Sequence, residues 1–363
     1  MVAATDLRIP GPTPLPPQVI EAMQREMMPH RVPAFNEFYS GLLKQVQRIH
    51  RTEGDVLVLP ASGSAGWEAA IVNTLSPGDQ VLAFVTGDFG DRFAKVGTAL
   101  RLDVVRVEVE WGRAATADVV REALEAHPAA RAVLYTHNET STGVTNPLQE
   151  IAPLVRAHGA LLFVDGVSSV AGIPLEMDEW GVDLVISGSQ KAWMCPPGLV
   201  ILAFGQRVWD AYPHANYPRF FWDFGTLKES AVEGTTPATP PITLLYALKA
   251  ACDMLEAEGL DQVYARHRRL GALVREGVVR EGYTLFADPA YASNTVTAAI
   301  PPAGLRSTDV AGRLRSDFGI EVALGQAHLK DRIVRLGHMG WVEEPELNRM
   351  VDALGTVAKR LQG

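Results

Sequence analysis

Short apolar runs alternate with amphipathic, helix-like segments between residues 56 and 204. Runs without polar alternation are typical of strands that are covered on both faces, whereas half-exposed strands alternate apolar and polar residues. The pattern predicts an α/β fold, with a mostly parallel seven-stranded sheet and helices on both faces. The runs are VLVL (56–59), VLAFV (81–85), VVRVEV (104–109), AVLYT (132–136), ALLFVD (160–165), DLVIS (183–187) and LVILAF (199–204).

A proline-rich segment, TTPATPPI (235–242), interrupts this pattern. Two long amphipathic helices are predicted after it, and then strands and helices that indicate a smaller C-terminal α+β domain. We therefore expect an N-terminal arm over 1–16, a large domain over 17–247 and a small domain over 248–363. The predicted elements are helices at 242–258, 260–281 and 308–318, strands at 294–300, 321–324 and 332–337, and a last helix from about Glu343.

The amino-acid composition and net charge indicate which kinds of binding partner to expect. The 363 residues include 33 Lys plus Arg and 42 Asp plus Glu, and the net charge of −9 gives no general attraction to nucleic acid or to an anionic membrane. Small molecules are the expected partners. The only cysteines, Cys195 and Cys252, have no CxxC spacing, so neither a disulfide framework nor a metal site is expected. No signal-like start or long apolar span is evident, and we expect a cytoplasmic protein.

Two charged residues follow neighbouring strands of the predicted sheet. Asp165 ends ALLFVD, and Lys191 comes shortly after DLVIS. Right-handed crossovers bring such positions to one edge of a parallel sheet, where ligands bind. The two side chains can form a simple salt bridge. Alternatively, they bracket a pyridoxal phosphate ring, which needs an amine for an imine and a carboxylate beside its pyridine nitrogen.

A phosphate site for that cofactor is expected at the start of a helix, where free N–H groups and the helix dipole favour an anion. The segment ASGSAG (61–66) follows the strand VLVL and has the small residues required. We expect Ser62, Gly63, Ser64 and the amide of Ala65 to face the phosphate. Most small-residue helix starts only satisfy the helix end, so this signal is weak by itself.

An ordered set of motifs extends over nearly the whole chain and resembles the class V aminotransferases of fold type I, nearest to their serine–glyoxylate and alanine–glyoxylate branches. The resemblance implies a PLP-dependent transferase of fold type I, pyridoxal 5'-phosphate as cofactor, and a homodimer with shared active sites. The motifs are ASGSAGWEAAIVNTLSPGD, HNETSTGVTN, FVDGVSS, MDEWGVD, SGSQKA, PPGL, ARHRRLG, SNTVTA and RLGHMG.

The resemblance also implies roles for single residues. Lys191 matches the Schiff-base lysine and Asp165 the partner of the pyridinium nitrogen, while Arg335 matches the arginine that binds the substrate carboxylate. A planar guanidinium donates two parallel bonds to a carboxylate, which fixes its charge and orientation. The remaining matches are Gln190 and Thr239 near the phosphate, the latter in the neighbouring subunit, Phe89 on the ring face and Thr140 near the ring oxygen.

Some of these positions have plainer interpretations. Phe89 can be an ordinary core residue, Thr140 can make a local turn bond, and Arg332 is a rival to Arg335. We expect His338 and His137 to support the structure. The sequence departs from the family at Ala238, where relatives commonly have a tyrosine.

The expected reaction is a ping-pong transamination, with serine as first and alanine as second choice of amino donor and glyoxylate or pyruvate as acceptor. One alternative is a PLP-dependent lyase such as a cysteine desulfurase. It requires a late reactive cysteine and a histidine before the lysine, but no cysteine follows Cys252 and Gln190 precedes Lys191. The other alternative is a non-catalytic interaction protein on the same scaffold, such as a protein grouped with hydrogenase subunits.

Overall fold

The computed structural model describes residues 6–362, which form a large sheet, a smaller sheet and surrounding helices. The strands are β1 (Asp6–Leu7), β2 (Asp55–Leu59), β3 (Gln80–Val85), β4 (Asp103–Glu108), β5 (Ala132–Thr136), β6 (Asn138–Glu139), β7 (Val144–Thr145), β8 (Leu161–Asp165), β9 (Leu184–Gly188), β10 (Val200–Phe204), β11 (Thr284–Leu285), β12 (Val296–Ile300), β13 (Ile320–Glu321), β14 (Ala323–Leu324) and β15 (Val334–Gly337). The helices are α1 (Pro17–Met23), α2 (Pro33–Ile49), α3 (Gly63–Thr74), α4 (Asp88–Ala99), α5 (Ala117–Ala126), α6 (Leu148–His158), α7 (Met177–Trp180), α8 (Gln206–Ala211), α9 (Phe224–Val232), α10 (Ile242–Glu258), α11 (Leu260–Arg280), α12 (Ser307–Phe318) and α13 (Glu344–Gln362).

The large sheet has seven strands in the order β2-β10-β9-β8-β5-β3-β4, and these are the seven apolar runs of the sequence. Neighbours from β9 to β4 are parallel, while β10 is antiparallel to both β9 and β2. The loop 189–199 between β9 and β10 is short for a crossover, since a parallel connection needs about a dozen residues or more. The mostly parallel sheet is confirmed, with β10 as its reversed strand.

Helices cover both faces of this sheet, which explains why its inner strands lack polar alternation; the edge strand β4 carries the exposed Arg106 and Glu108. On β8, Phe163 packs in one apolar cluster with Ile71 of α3, and the next residue, Val164, packs in another with Leu42 of α2. All four side chains are fully buried. Successive side chains of a strand point to opposite faces, so both faces of β8 are shielded from water.

The smaller sheet has the order β11-β12-β15-β14 with antiparallel neighbours, and its apolar side packs against α11, α12 and α13. It supplies β15, on which Arg335 lies. The proposed boundary between residues 247 and 248 falls inside α10, and the division into domains remains a prediction. Residues 1–5 of the proposed arm and residue 363 lie outside the described residues.

Residues 6–16 run from the smaller sheet across the end of β9. Strand β1 pairs with β13, and the carbonyl of Arg8 accepts a hydrogen bond from the amide of Gly337 at 2.7 Å. Further along, the amide of Thr13 donates to the carbonyl of Gln190 at 3.1 Å. This segment therefore covers the loop that contains Lys191. Among the helices of residues 6–362, none combines the length and apolar character needed to cross a membrane.

Candidate active site

Asp165 and Lys191 lie at the same edge of the large sheet. Asp165 is the last residue of β8, where it pairs in register with Ile186 of β9, and Lys191 follows the end of β9 by three residues. Both are buried, with 4% and 9% of their surface exposed. The carboxyl ends of parallel strands are where α/β sheets bind ligands.

The Lys191 amine is held by the N-terminal segment in surroundings that disfavour its charge. Its Nζ donates to the carbonyl of Pro10 at 2.6 Å. Burial and, to a smaller extent, the positive charge of Arg335 lower the pKa of Lys191 to about 8, while Asp165 acts in the opposite direction. An amine with this pKa has a substantial neutral fraction near neutral pH, which a nucleophile or a base requires.

The Asp165 carboxylate has few partners of its own. Its Oδ1 accepts from the amide of Val167 at 2.9 Å. Burial raises the pKa of Asp165 to about 7, with the negative charge of Glu139 adding to the rise and Lys191 opposing it. A cation beside this carboxylate would restore its ionised form. The site thus suits a protonated ring nitrogen.

The start of α3 suits an anion. The side chain of Ser62, at the N-cap, makes no capping bond, and both Ser62 and Ser64 are exposed. Gly63 is required for close packing, because a Cβ there would lie 2.6 Å from a methyl group of Val167, in the loop after Asp165. The amide of Ala65 donates to the carbonyl of Ser62 at 3.0 Å, closing the first helical turn, and its expected contact with the phosphate remains a prediction.

Gln190 presents a buried polar atom toward the same region. Within the described residues, its Oε1 has no hydrogen-bond partner, and a Cβ at Gly188 would lie 3.1 Å from it. Rotation of the amide exchanges oxygen and nitrogen, so this position can present an N–H donor to a phosphate. The open start of α3, the side-chain amide of Gln190 and the carboxylate of Asp165 together fit pyridoxal phosphate.

Glu139 links the elements that hold Phe89 and Thr140. This fully buried carboxylate accepts from the amides of Gly90, in the first turn of α4, and of Ser141, both at 3.0 Å. Phe89 is half-buried on that turn, with the Arg92 guanidinium 5.3 Å from its ring. A carboxylate at a helix start is favoured by the dipole. Glu139 therefore fixes the position of α4 relative to the loop that follows β6.

Thr140 and Arg335 are in direct contact. Arg335 is buried on β15, and its Nη1 donates to the carbonyl of Thr140 at 3.2 Å. The Thr140 Oγ1 donates to Ser168 Oγ at 2.8 Å. Burial lowers the pKa of Arg335 to about 10. Arg332, the rival candidate, is exposed and lines a separate surface groove beside Trp111.

Thr239 lies apart from these residues within this chain. It is exposed and lines an apolar groove with Tyr39, Pro60 and Phe221, and Ala238 lines the same groove. The expected contact of Thr239 with a phosphate involves a second subunit, so its role remains a prediction.

The two histidines noted in the sequence are embedded in the protein. His338 is fully buried, with Nε2 2.9 Å from Thr297 Oγ1 and Nδ1 3.1 Å from the carbonyl of Asn294. His137 packs edge-on against Trp180, and burial lowers its pKa to about 4. Such surroundings suit structural rather than catalytic side chains.

The structure brings Asp165, Lys191 and Arg335 to one site, although the role of each residue remains a prediction. Sequence reasoning did not find Pro10, Glu139 or Gln326, whose Oε1 accepts from Arg335 Nη1 at 2.9 Å. The segment IPGPTP (9–14) predicts only an extended arm, and an isolated polar residue in a loop gives no periodic signal.

Comparison with known proteins gives consistent matches over the chain. The sequence profile described as Aminotransferase class-V matches residues 7–341. The chain is 39% identical to "Soluble hydrogenase, small subunit" of Synechococcus sp. (strain PCC 6716), covering 98% of this chain and 93% of the relative. It is 37% identical to an L-aspartate–glyoxylate aminotransferase of Paracoccus denitrificans, covering 94% and 87%. It is 36% identical to a serine–glyoxylate aminotransferase of Methylorubrum extorquens, covering 94% and 88%. A crystal structure of an alanine–glyoxylate aminotransferase from Nostoc sp. has a TM-score of 0.94 at 31% identity, covering 98% of this chain and 96% of that one.

Proposed function

This chain belongs to the class-V aminotransferase family, whose fold and pyridoxal 5'-phosphate cofactor it shares, and we propose that it transfers the amino group of a small L-amino acid to glyoxylate or pyruvate. Serine is the first choice of donor and alanine the second. The observation that supports this function best is the buried Lys191 amine, which donates to the carbonyl of Pro10 and whose pKa is lowered to about 8 by burial and by the charge of Arg335, against the opposing charge of Asp165.

The cofactor, when bound, supplies an electron sink for the bond that breaks at the substrate Cα. In the proposed mechanism Asp165 stays ionised beside the ring nitrogen, and Ser62, Gly63, Ser64 and Gln190 hold the phosphate. Phe89 and Thr140 would contact the ring. Lys191 would hold the cofactor, and its amine would serve as the base that takes a proton from the substrate Cα.

Arg335 orients the reacting acid in the proposed mechanism. Its guanidinium binds the carboxylate that every α-amino and α-oxo acid presents, so Cα faces Lys191, which would take a proton from it in the first half-reaction and return one to it in the second. Donor and acceptor then occupy the same site in turn, in a ping-pong sequence. Because the carboxylate is common to all these acids, Arg335 contributes to binding but does not select the donor side chain.

The charges around the site favour an uncharged donor over aspartate. A second substrate carboxylate needs a second cation. Arg92, which lies over Phe89, already forms an ion pair with Asp88 at 2.7 Å, and its side chain is 51% exposed. Arg92 is therefore already paired at this position, which supports serine or alanine over aspartate.

A donor panel tests this proposal. The purified holoenzyme is mixed with serine, alanine, aspartate or cysteine and then with glyoxylate, and the keto acid and glycine are identified. We expect hydroxypyruvate from serine at the highest rate, and a yellow protein that borohydride bleaches by reducing a bond at Lys191. Aspartate as the fastest donor would contradict the donor assignment alone. A protein that stays colourless with added pyridoxal phosphate would contradict the function.

A desulfurase activity is not supported by the thiols. Cys195 and Cys252 are both free and buried, and burial raises the pKa of each thiol. A buried, protonated thiol is a poor nucleophile. Sulfide release from cysteine in the donor panel would contradict this interpretation.

We also propose a homodimer in which Thr239 reaches the phosphate of the partner subunit. The apolar groove around Thr239 and the exposed ring of Phe220, at 95% exposure, support an interface on this face. Sedimentation should give twice the chain mass, and Thr239→Ala should weaken cofactor binding without dissociating the dimer. A monomer with full activity would contradict this arrangement. A cytosolic location remains a prediction.

A further inference from the structure

Three acceptors already occupy the guanidinium of Arg335. Its Nε donates to the carbonyl of Leu324 at 2.8 Å, and its Nη1 donates to the carbonyl of Thr140 at 3.2 Å and to Gln326 Oε1 at 2.9 Å. A guanidinium has five N–H donors, one on Nε and two on each Nη. These contacts therefore use the Nε donor and both Nη1 donors, and the remaining two donors are on Nη2.

A carboxylate that accepts two parallel bonds must use Nη2 together with either Nε or Nη1. One of the three existing acceptors then has to move. The carbonyl of Leu324 is fixed in β14, which pairs with β15, and that of Thr140 belongs to a buried backbone. The acceptor of Gln326 is the one on a rotatable side chain, so it is the one that can yield.

The backbone at Gln326 is held firmly while its side chain can rotate. The amide of Leu329 donates to the carbonyl of Gln326 at 2.9 Å, and the amide of Gly325 donates to the carbonyl of Ile333 at 3.0 Å. The side chain of Gln326 is half-buried. Its amide therefore remains close to the guanidinium when it turns, and rotation exposes its N–H donors in place of its oxygen.

We propose that Gln326 is a substrate-binding residue: its amide leaves Nη1 of Arg335 when a substrate carboxylate binds there, and then donates an Nε2–H bond to that carboxylate. The ligands are α-amino and α-oxo acids, as the proposed function requires. Gln326 thus replaces one hydrogen bond to a cation with another to an anion. It adds a donor to the two of Arg335.

The test measures binding of glycolate to the holoenzyme by calorimetry. Glycolate has the carboxylate but neither an amine nor an oxo group, so it binds without reacting. We expect Gln326→Ala to weaken glycolate binding about three- to tenfold, since a bond to a charged group is lost. Gln326→Glu should weaken it about 30-fold or more, because the new carboxylate pairs with Arg335 and repels the ligand. Gln149→Glu, at an exposed position on α6, is the control for added charge.

A kinetic pattern distinguishes binding from general damage. Gln326→Ala should raise KM for serine and for glyoxylate by the same factor and leave kcat nearly unchanged, because the interaction is common to all bound states. Unchanged or tighter glycolate binding in Gln326→Ala would overturn the proposal, as would a fall in kcat alone. Failure of the proposed function would instead show as native enzyme that binds glycolate but transfers no amino group.

Discussion

Replacing Gly11 by alanine should displace the side chain of Lys191 without unfolding the protein. Gly11 follows Pro10, whose carbonyl accepts from Lys191 Nζ at 2.6 Å. A Cβ at position 11 would lie 2.7 Å from both Cδ and Nζ of Lys191. The ordinary contact distance between such atoms is about 3.5–4.0 Å, so the lysine has to move by about 1 Å. Gly11 also has φ +127°, a conformation that favours glycine.

Two effects of different size follow from this geometry. The backbone conformation should cost about 1–3 kcal/mol of stability. In its proposed role as the base, Lys191 displaced by about 1 Å is expected to lower kcat about 100-fold. Gly78→Ala separates the two effects, because Gly78 has φ +90° and no neighbouring atom lies within 4 Å of the place its new methyl group would take. It should lose similar stability and keep its activity.

The assay combines thermal unfolding, the visible absorbance of the bound cofactor and steady-state kinetics for both variants. We expect Gly11→Ala to remain folded, to bind the cofactor with an altered spectrum, and to have a kcat far below that of Gly78→Ala. Native kcat in Gly11→Ala would refute the contact argument. An equal loss of kcat in both variants would attribute the effect to backbone strain alone.

Three further variants probe the buried charges. In the cofactor-free protein, Asp165 should make the free energy of unfolding fall as pH rises from about 4 to about 7. The reason is that the carboxyl of the folded protein keeps a proton that the unfolded chain releases. In a plot of stability against pH, Asp165→Asn should flatten this region. Glu139→Ala should lower the free energy of unfolding by about 3 kcal/mol or more in denaturant titrations, because several buried donors lose their acceptor. The control Glu122→Ala, at an exposed position, should change the free energy of unfolding by about 0.5 kcal/mol or less. Arg335→Lys should raise KM for all carboxylate substrates about tenfold or more, with a smaller effect on kcat, since an ammonium group cannot form the bidentate hydrogen bonds of a guanidinium with a carboxylate.

The sequence predicted the elements whose burial leaves a strong pattern. The strands of the large sheet other than the edge strand β4 are apolar on both sides because helices cover both faces, and the sequence predicted all seven strands. The proximity of Asp165 and Lys191 was predicted because each follows an apolar strand and a right-handed crossover brings such strand ends to one edge, as the pairing of β8 with β9 confirms. Arg335 depended on the family resemblance, since its pattern alone does not distinguish it from Arg332.

Contacts made by backbone atoms or by single loop residues left no such signal. The carbonyl of Pro10 lies 181 positions from Lys191 along the chain, and a carbonyl is present at every residue. Gln326 is one polar residue in a loop, where polar residues are ordinary. The amide of Ala65 was assigned to the phosphate from its place at a helix start, and the sequence did not show that it also closes the first turn of α3. These features depend on three-dimensional position rather than on residue type.

The position of residues 6–13 has a consequence for biosynthesis. Their partners are β13, Gly337 and the Gln190–Lys191 backbone, which are made much later along the chain. During translation β1 and Arg8 have to wait for their partners until β13 and β15 have left the ribosome, although the large sheet can assemble earlier and Thr13 can pair once residues 190–191 have emerged. The ribosome-bound chain therefore gains its lysine-covering segment as one of its final folding steps, and a nascent chain stalled before residue 337 should remain sensitive to protease near its start.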